Sequence, residues 1–140
     1  MEQIFHSGGA RQLGISNCYD LQQLKLLYRN AKVKPAVIQN RFYAETQYDR
    51  TIRDFCQQQS IIYQSFWTLT ANPKVLAHTT FQRLAAKYQR STAQLFFRYL
   101  NQINVIPLTG TTSKTHMKED LASIDFELTA EEYQAVGNLL

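Results

Sequence analysis

Four times along the chain, a short apolar run is followed by a polar loop and then by a segment with helical periodicity. The apolar runs occupy residues 12–16, 35–39, 61–66 and 104–107. They are continuous rather than alternating, as expected of strands that are covered on both faces. Strand–helix alternation favours a parallel sheet with right-handed crossovers. The pattern therefore predicts four βα units, half of an α/β (β/α)8 TIM barrel; a small open, doubly wound sheet is the alternative.

Capping residues mark where the predicted helices begin. Asp20, Asp49, Ser91 and Thr129 each precede a segment with helical periodicity. A side-chain oxygen at this position accepts a hydrogen bond from a free backbone N–H group of the first turn. In three of the four cases a Gln or Glu follows three residues later, which is the capping-box arrangement. A further helix is predicted near residues 113–121, and the helix after Thr129 closes the chain.

The composition indicates a folded protein and excludes several functional classes. Apolar residues make up 44% and charged residues 19% of the 140 residues, so we expect one globular domain over residues 1–140. The net charge of +4 is spread along the chain, which argues against a nucleic-acid partner. No apolar run approaches the roughly 20 residues that a membrane span needs. Cys18 and Cys56 lack metal-ligand or CxxC spacing, and no secretory segment is recognisable, so we expect reduced thiols, no metal site and a cytoplasmic protein.

A set of short motifs is the feature of the sequence that is most specific for a protein family. In chain order the motifs are Leu13–Asn17, Pro35–Asn40, Ser65–Leu69, Ala86–Tyr88, Thr92–Leu95, Val105–Pro107 and Asp125–Thr129. Their order and separations resemble strands five to eight of the aldo-keto reductases, over nearly the whole chain. The resemblance implies the carboxyl-terminal half of that barrel. The G-x-G-x-x-G motif of doubly wound dinucleotide-binding folds does not follow the first strand.

The resemblance also implies a partial site for NADP(H) or NAD(H). In the family, the positions of Ser16, Asn17 and Gln39 hydrogen-bond the nicotinamide carboxamide. Side-chain amides suit this role because they both donate and accept. Phe66 occupies the position of the aromatic ring that stacks on the nicotinamide, and a phenyl ring retains the stacking face. From the residues alone, Asn17 is equally a turn residue, Gln39 a polar group within the barrel and Phe66 a core side chain.

The adenosine end of the site departs from the family pattern. Leu108 replaces the lysine that pairs with the adenosine phosphate. In the pyrophosphate loop after the preceding strand, Trp67 replaces the usual serine and Thr68 the usual proline. The residues left to bind phosphate or adenine are Thr109, Gly110, Thr111, Lys114 (or His116 in its place) and Asp120. A glycine, hydroxyl groups and a helix start can cradle phosphate through backbone N–H groups; the alternative is a turn that caps a helix. We therefore expect weak or vestigial cofactor binding, without a clear preference for NADP over NAD.

No catalytic residue is assigned in this chain. In aldo-keto reductases a Tyr protonates the substrate, a Lys lowers its pKa, and an Asp and a His assist. These four residues belong to strands two to four and their loops, and no residue here matches their motifs. General acid catalysis contributes about 10²–10⁴-fold to such reactions, so we expect no turnover by the chain alone. Met1 corresponds to a position inside a helix of the longer family, as a truncated reading frame would produce. The alternatives are half of a split NAD(P)H-dependent carbonyl reductase and a self-associating structural module without nucleotide binding.

The predicted half-barrel has consequences for assembly. Four parallel strands cut from a barrel leave two open edges and an apolar inner wall, for which Val37, Ile62 and Ile106 are candidates. We expect a homodimer, or a separate chain that carries the amino-terminal half-barrel. Alternatively, the terminal helix of residues 129–140 covers the open face within one chain.

Overall fold

The computed structural model describes residues 1–140 and contains one parallel sheet of four strands in the order β1-β2-β3-β4. The strands are β1 (Gly14–Ser16), β2 (Val37–Arg41), β3 (Ile62–Phe66) and β4 (Val105–Pro107). Each strand coincides with or overlaps one predicted apolar run, and the prediction of four parallel βα units is confirmed. The main difference is at β2, which continues two residues beyond its run, to Arg41.

Eight α-helices connect and flank the strands. They are α1 (Glu2–His6), α2 (Leu21–Asn30), α3 (Arg50–Gln58), α4 (Pro73–Leu76), α5 (Thr79–Tyr88), α6 (Thr92–Gln102), α7 (Lys114–Leu121) and α8 (Ala130–Gly137). Short 3-10 segments cover Ala44–Asp49 and Ala122–Ile124. Ser91 and Thr129 form complete capping boxes, whereas Asp20 accepts from two backbone N–H groups without the reciprocal bond. None of the helices combines the length and hydropathy that crossing a bilayer requires.

Asp49 is not the helix cap that the sequence predicts. It occupies the N-cap position of α3, but its side chain makes no capping hydrogen bond. Instead the carboxylate is 3% exposed and accepts hydrogen bonds from Asn40 and Tyr63. Leaving those buried donors unpaired costs more than leaving helix-end N–H groups in contact with water. The buried donors therefore determine where the carboxylate lies.

The helices cover only one face of the sheet. On the covered face Ile38, Tyr63 and Val105 lie side by side in register and are buried. On the opposite face Ile62 and Ile106 are 39% and 45% exposed. The continuous apolar runs predict strands that are covered on both faces, but the helices of this chain cover only one face of the sheet.

The terminal helix does not close the open face. Helix α8 packs on the helical layer, where the rings of Tyr133 and Tyr99 lie 5.4 Å apart between α8 and α6. Val136, on the same helix, is fully buried in the common core. The alternative in which residues 129–140 cover the inner wall is therefore wrong.

Candidate nicotinamide-nucleotide site

A row of polar side chains crosses the open face of the sheet. Ser16, Gln39 and Gln64 are direct neighbours in the register of β1, β2 and β3. The Gln39 Nε2 atom donates to Gln64 Oε1 over 3.2 Å, and the Gln39 Oε1 atom has no protein donor. The row therefore retains both donors and acceptors, the combination that a carboxamide ligand needs.

Asn17 extends this row beyond the end of β1. Its backbone N–H donates to the Gln39 carbonyl over 3.0 Å, and its φ of 58° lies in the left-handed region. Asparagine tolerates this conformation better than most residues. The turn brings the Asn17 Nδ2 atom within 3.4 Å of Ser16 Oγ. Three of the residues that the family resemblance assigns to the carboxamide thus lie together at the carboxyl-terminal end of the sheet.

Phe66 links the polar row to a large cavity. It ends β3, two residues after Gln64 and on the same face of the sheet. The cavity next to it measures about 800 Å³ and lies between the loops that follow β3 and β4 and the helices α6 and α7. Its lining residues are Phe66, Trp67, Thr68, Leu69, Thr70, Ser91, Ala93, Phe97, Leu108, Thr109, Gly110, Thr111, His116, Glu119 and Asp120.

The structure brings most of the predicted adenosine-end residues to this cavity. Thr109, Gly110, Thr111 and Asp120 all line it. Lys114, the exposed first residue of α7, does not line the cavity, whereas its alternative His116 does. Sequence reasoning missed Gln64, although its position two residues from Phe66 in a strand signals the same face.

The loop after β4 carries free backbone donors beside this cavity. The N–H groups of residues 109–112 donate to no protein acceptor, whereas Ser113 N donates to Thr111 Oγ1 and His116 N to Ser113 Oγ. A side chain added at Gly110 would point into open space. Unpaired N–H groups near a helix start are suited to binding phosphate oxygens. These residues therefore fit a phosphate group of a dinucleotide.

The charged side chains that line the cavity disfavour phosphate binding. Glu119 and Asp120 line it, and no Lys or Arg does. Since Leu108 occupies the position of the family lysine, His116 is the only side chain of the lining that can become cationic. A phosphate would be held by N–H dipoles opposite two carboxylates, and this predicts low affinity.

A buried polar network lies beneath the polar row, on the helix side of the sheet. Asn40 donates to the Cys18 carbonyl and to Asp49 Oδ2 and accepts from the Cys18 N–H over 2.9 Å. The Tyr63 hydroxyl donates to the same Asp49 oxygen over 2.9 Å. Burial, and next the Asp49 carboxylate, raise the pKa of Tyr63, so its hydroxyl remains a donor. The network fixes the turn of residues 17–18 to β2 and β3.

The cysteines are structural rather than reactive. Both thiols are free and buried. Burial raises the pKa of Cys18, and it raises the pKa of Cys56 to about 12. A thiol that remains protonated is a poor nucleophile.

The tyrosines do not form an acid–base group with a lysine at the open end of the sheet. Tyr48 and Tyr63 are buried, and Tyr88 hydrogen-bonds Glu132 and the Glu127 carbonyl on the helical layer. The Tyr19 hydroxyl contacts Asn17 and a backbone N–H group, and no lysine. The polar row and the cavity offer donors, acceptors and an aromatic face, and none of these tyrosines is paired there with a lysine.

The sequence model of the aldo/keto reductase family matches residues 64–140, which is more than half of the chain. The chain belongs to the aldo/keto reductase family. The NADPH-dependent alpha-keto amide reductase of Saccharomyces cerevisiae is 32% identical over 99% of this chain and 47% of its own length. The glyoxal reductase of Bacillus subtilis is 26% identical over 99% of this chain and 49% of its own length. This family member thus spans about half the length of these curated relatives.

Solved structures agree with the fold. An aldo-keto reductase from a Medee basin deep-sea metagenome library superimposes with a TM-score of 0.88 at 21% identity, over 99% of this chain and 51% of that one. An aldo-keto reductase of the silkworm Bombyx mori gives 0.85 at 23% identity, over 98% and 44%. The predicted fold class, half of an aldo-keto reductase TIM barrel, is confirmed.

Proposed function

We propose that this chain is the nicotinamide-nucleotide-binding half of an aldo-keto reductase, with weak affinity for the cofactor and no turnover by itself. The observation that carries the proposal is the continuity of the site. The polar row of Ser16, Gln39 and Gln64 leads through Phe66 to a cavity whose loop carries free N–H groups. Family membership makes a nicotinamide cofactor the natural occupant.

Each part of the site has a distinct task in this proposal. Gln39 and Asn17 would hold the carboxamide and so fix which face of the nicotinamide ring is presented. Phe66 would stack on the ring and shield it from water. The free N–H groups of residues 109–112 would bind a phosphate group of the dinucleotide. When bound, a reduced nicotinamide supplies a hydride; these residues orient it and add no proton donor.

Weak binding follows from two features of the site. In a single copy of the chain the open face leaves the ring exposed on one side, and affinity depends on how completely a ligand is enclosed. The carboxylates of Glu119 and Asp120 also oppose the phosphates. Either nicotinamide dinucleotide is a candidate, since no cationic side chain selects the phosphorylated form.

A titration tests the proposal. We expect NADPH, followed by its own fluorescence, to bind the wild-type chain weakly. Phe66→Ala should weaken binding about tenfold, because stacking on an aromatic side chain contributes about 1–3 kcal/mol. Gln39→Ala should weaken it about threefold, as the net loss of one hydrogen bond predicts. An aldehyde added to the same sample should cause no oxidation of NADPH.

Gln23→Ala is the matched control, because Gln23 is exposed on α2 and should leave the affinity unchanged. Equal affinities of wild type and both site variants would place the nucleotide elsewhere. Absence of any binding would favour a structural module without a cofactor. Steady turnover that a substitution in this chain abolishes would contradict the proposal of inactivity.

We propose further that a second copy of the chain covers the open sheet face. The open face exposes the side chains of Ile62 and Ile106, and the edges of β1 and β4 are unpaired. A copy related by a twofold axis presents the same features, so the two faces could pack together and the edges could pair. Two four-stranded sheets would close a barrel of the size that aldo-keto reductases use.

Sedimentation at micromolar concentration should give a mass close to twice 16.2 kDa. Ile106→Asp should shift the equilibrium strongly towards the monomer, because it places a charge in the contact. Ile124→Asp, at an exposed apolar position away from the sheet, is the control. A wild-type monomer at all concentrations would refute the dimer. It would direct attention to a separate chain carrying the remaining strands, as in a split carbonyl reductase.

A further inference from the structure

Arg41 ends β2 with a guanidinium group that has no hydrogen-bond partner in the chain. Its Nε atom is buried and unpaired, and its other guanidinium nitrogens donate no hydrogen bond within the protein. The two ion pairs of the structure are Lys87–Glu132 and Arg98–Glu127, so no carboxylate lies within 4.0 Å of Arg41. A cation in this state retains most of its capacity to bind an anion.

Aromatic rings hold this guanidinium in place. Its central carbon lies 4.6 Å from the ring centroid of Tyr43 and 4.8 Å from that of Trp67. Tyr19 contacts Tyr43 edge-on, with the ring centroids 6.3 Å apart. Trp67 has a φ of 55°, and a bulky residue in this region is strained. The chain accepts this strain while Trp67 remains 61% exposed, which indicates a role other than core packing.

The same cluster is connected to the nicotinamide site. The Tyr19 hydroxyl donates to Asn17 Oδ1 over 3.2 Å and accepts from the Arg41 N–H over 3.1 Å. Arg41 also pairs in register with Phe66 and lies two residues after Gln39 on the same strand. Two strand residues span about 6.6 Å, so an anion held by Arg41 would lie beside the nicotinamide ring rather than on it.

Arg41 lies apart from the groups that suit the cofactor phosphates. It does not line the 800 Å³ cavity, whereas Phe66 and Trp67 do. The free N–H groups of residues 109–112 follow β4, and Arg41 ends β2, two strands away in the sheet order. Since β3 lies between β2 and β4, Phe66 separates Arg41 from the free N–H groups of the loop after β4.

We propose that Arg41 is the anion-binding residue of this site and that the ligand bound next to the nicotinamide is a small carbonyl compound with a carboxylate, such as a 2-oxo acid. The inference rests on the proposed function for the position of the nicotinamide. A guanidinium presents paired N–H donors that match the two oxygens of a carboxylate. With the carboxylate on Arg41, the adjacent carbonyl would extend over the polar row towards the cofactor.

Trp67, the only tryptophan of the chain, allows a direct measurement. Pyruvate is titrated into the full chain while Trp67 fluorescence is recorded, and pyruvamide, its uncharged analogue, is titrated in parallel. We expect a saturable change with pyruvate and none with pyruvamide. Arg41→Gln should weaken pyruvate binding about tenfold or more, and Arg41→Lys should weaken it less, since a charge remains without the paired donors. Circular dichroism confirms that both variants are folded.

Arg83→Gln is the matched control, because it removes the same charge from an exposed position on α5. NADPH binding is measured separately by nucleotide fluorescence, so loss of the proposed cofactor site and loss of the anion site give different results. Pyruvate affinity that is unchanged in Arg41→Gln would overturn the inference. A fluorescence response to inorganic pyrophosphate but not to pyruvate would also overturn it, by assigning Arg41 to the cofactor.

Discussion

Asp49→Ala is expected to lower the free energy of unfolding by about 2–6 kcal/mol, because it leaves two buried donors without an acceptor at about 1–3 kcal/mol each. The donors are the Tyr63 hydroxyl and one N–H of the Asn40 amide, and both residues are almost completely buried. Alanine is also poorly suited to the φ of 52° at this position. Urea denaturation followed by circular dichroism measures the loss.

Asp49→Asn is the informative companion variant. Both donors contact the same oxygen, Oδ2, and an asparagine carbonyl oxygen can occupy that place. Asparagine also tolerates the left-handed conformation. We therefore expect a much smaller loss than for alanine. Equal destabilisation by the two substitutions would show that the negative charge, rather than the acceptor, holds the network together.

Leu108→Lys is expected to tighten NADPH binding about tenfold and to leave NADH binding nearly unchanged, since one charge-assisted hydrogen bond contributes about 1.5–3 kcal/mol before solvent screening. Leu108 lines the cavity beside Glu119 and Asp120, where no lysine or arginine is present. The family resemblance places a lysine at this position, against the adenosine phosphate. Parallel fluorescence titrations of the two nucleotides measure the selectivity.

Leu108→Gln controls for side-chain length and polarity without a charge. The gain in Leu108→Lys should decrease as salt is added, because the new interaction is electrostatic and partly exposed. If the lysine tightened both nucleotides equally, the 2′-phosphate would not be its partner. If it tightened neither, the adenosine end would lie outside this cavity.

The sequence was sufficient to predict those parts of the fold that depend on local pattern. The apolar runs located the strands, and the capping boxes at Ser91 and Thr129 located the starts of α6 and α8, because both features depend on neighbouring residues. Asp49 lies at the N-cap position of α3 as predicted, but the prediction for its side chain is wrong for the opposite reason. Its true partners, Asn40 and Tyr63, are brought to it by the sheet, and no spacing along the chain indicates this.

The same distinction applies to the site. Ser16, Asn17 and Gln39 are predicted from their likeness to a family, and the register places Ser16 beside Gln39. Whether Lys114 or His116 faces the cavity depends on the residue at which α7 begins, because this sets the direction of each side chain around the helix. The sequence of the preceding loop does not determine that residue. The cluster of Arg41, Tyr43 and Trp67 was missed because its members come from two strands and their loops.

The lengths of the strands bear on how this sheet can associate. The edge strands β1 and β4 have three residues each, whereas β2 and β3 have five. Such short edges offer few backbone hydrogen bonds to a neighbouring strand, which limits indiscriminate edge-to-edge pairing. The free energy of any association must then come mainly from burying the apolar side chains of the open face. Hydrophobic burial contributes less free energy on cooling. An assembly formed through this face would therefore associate more weakly in the cold than at room temperature.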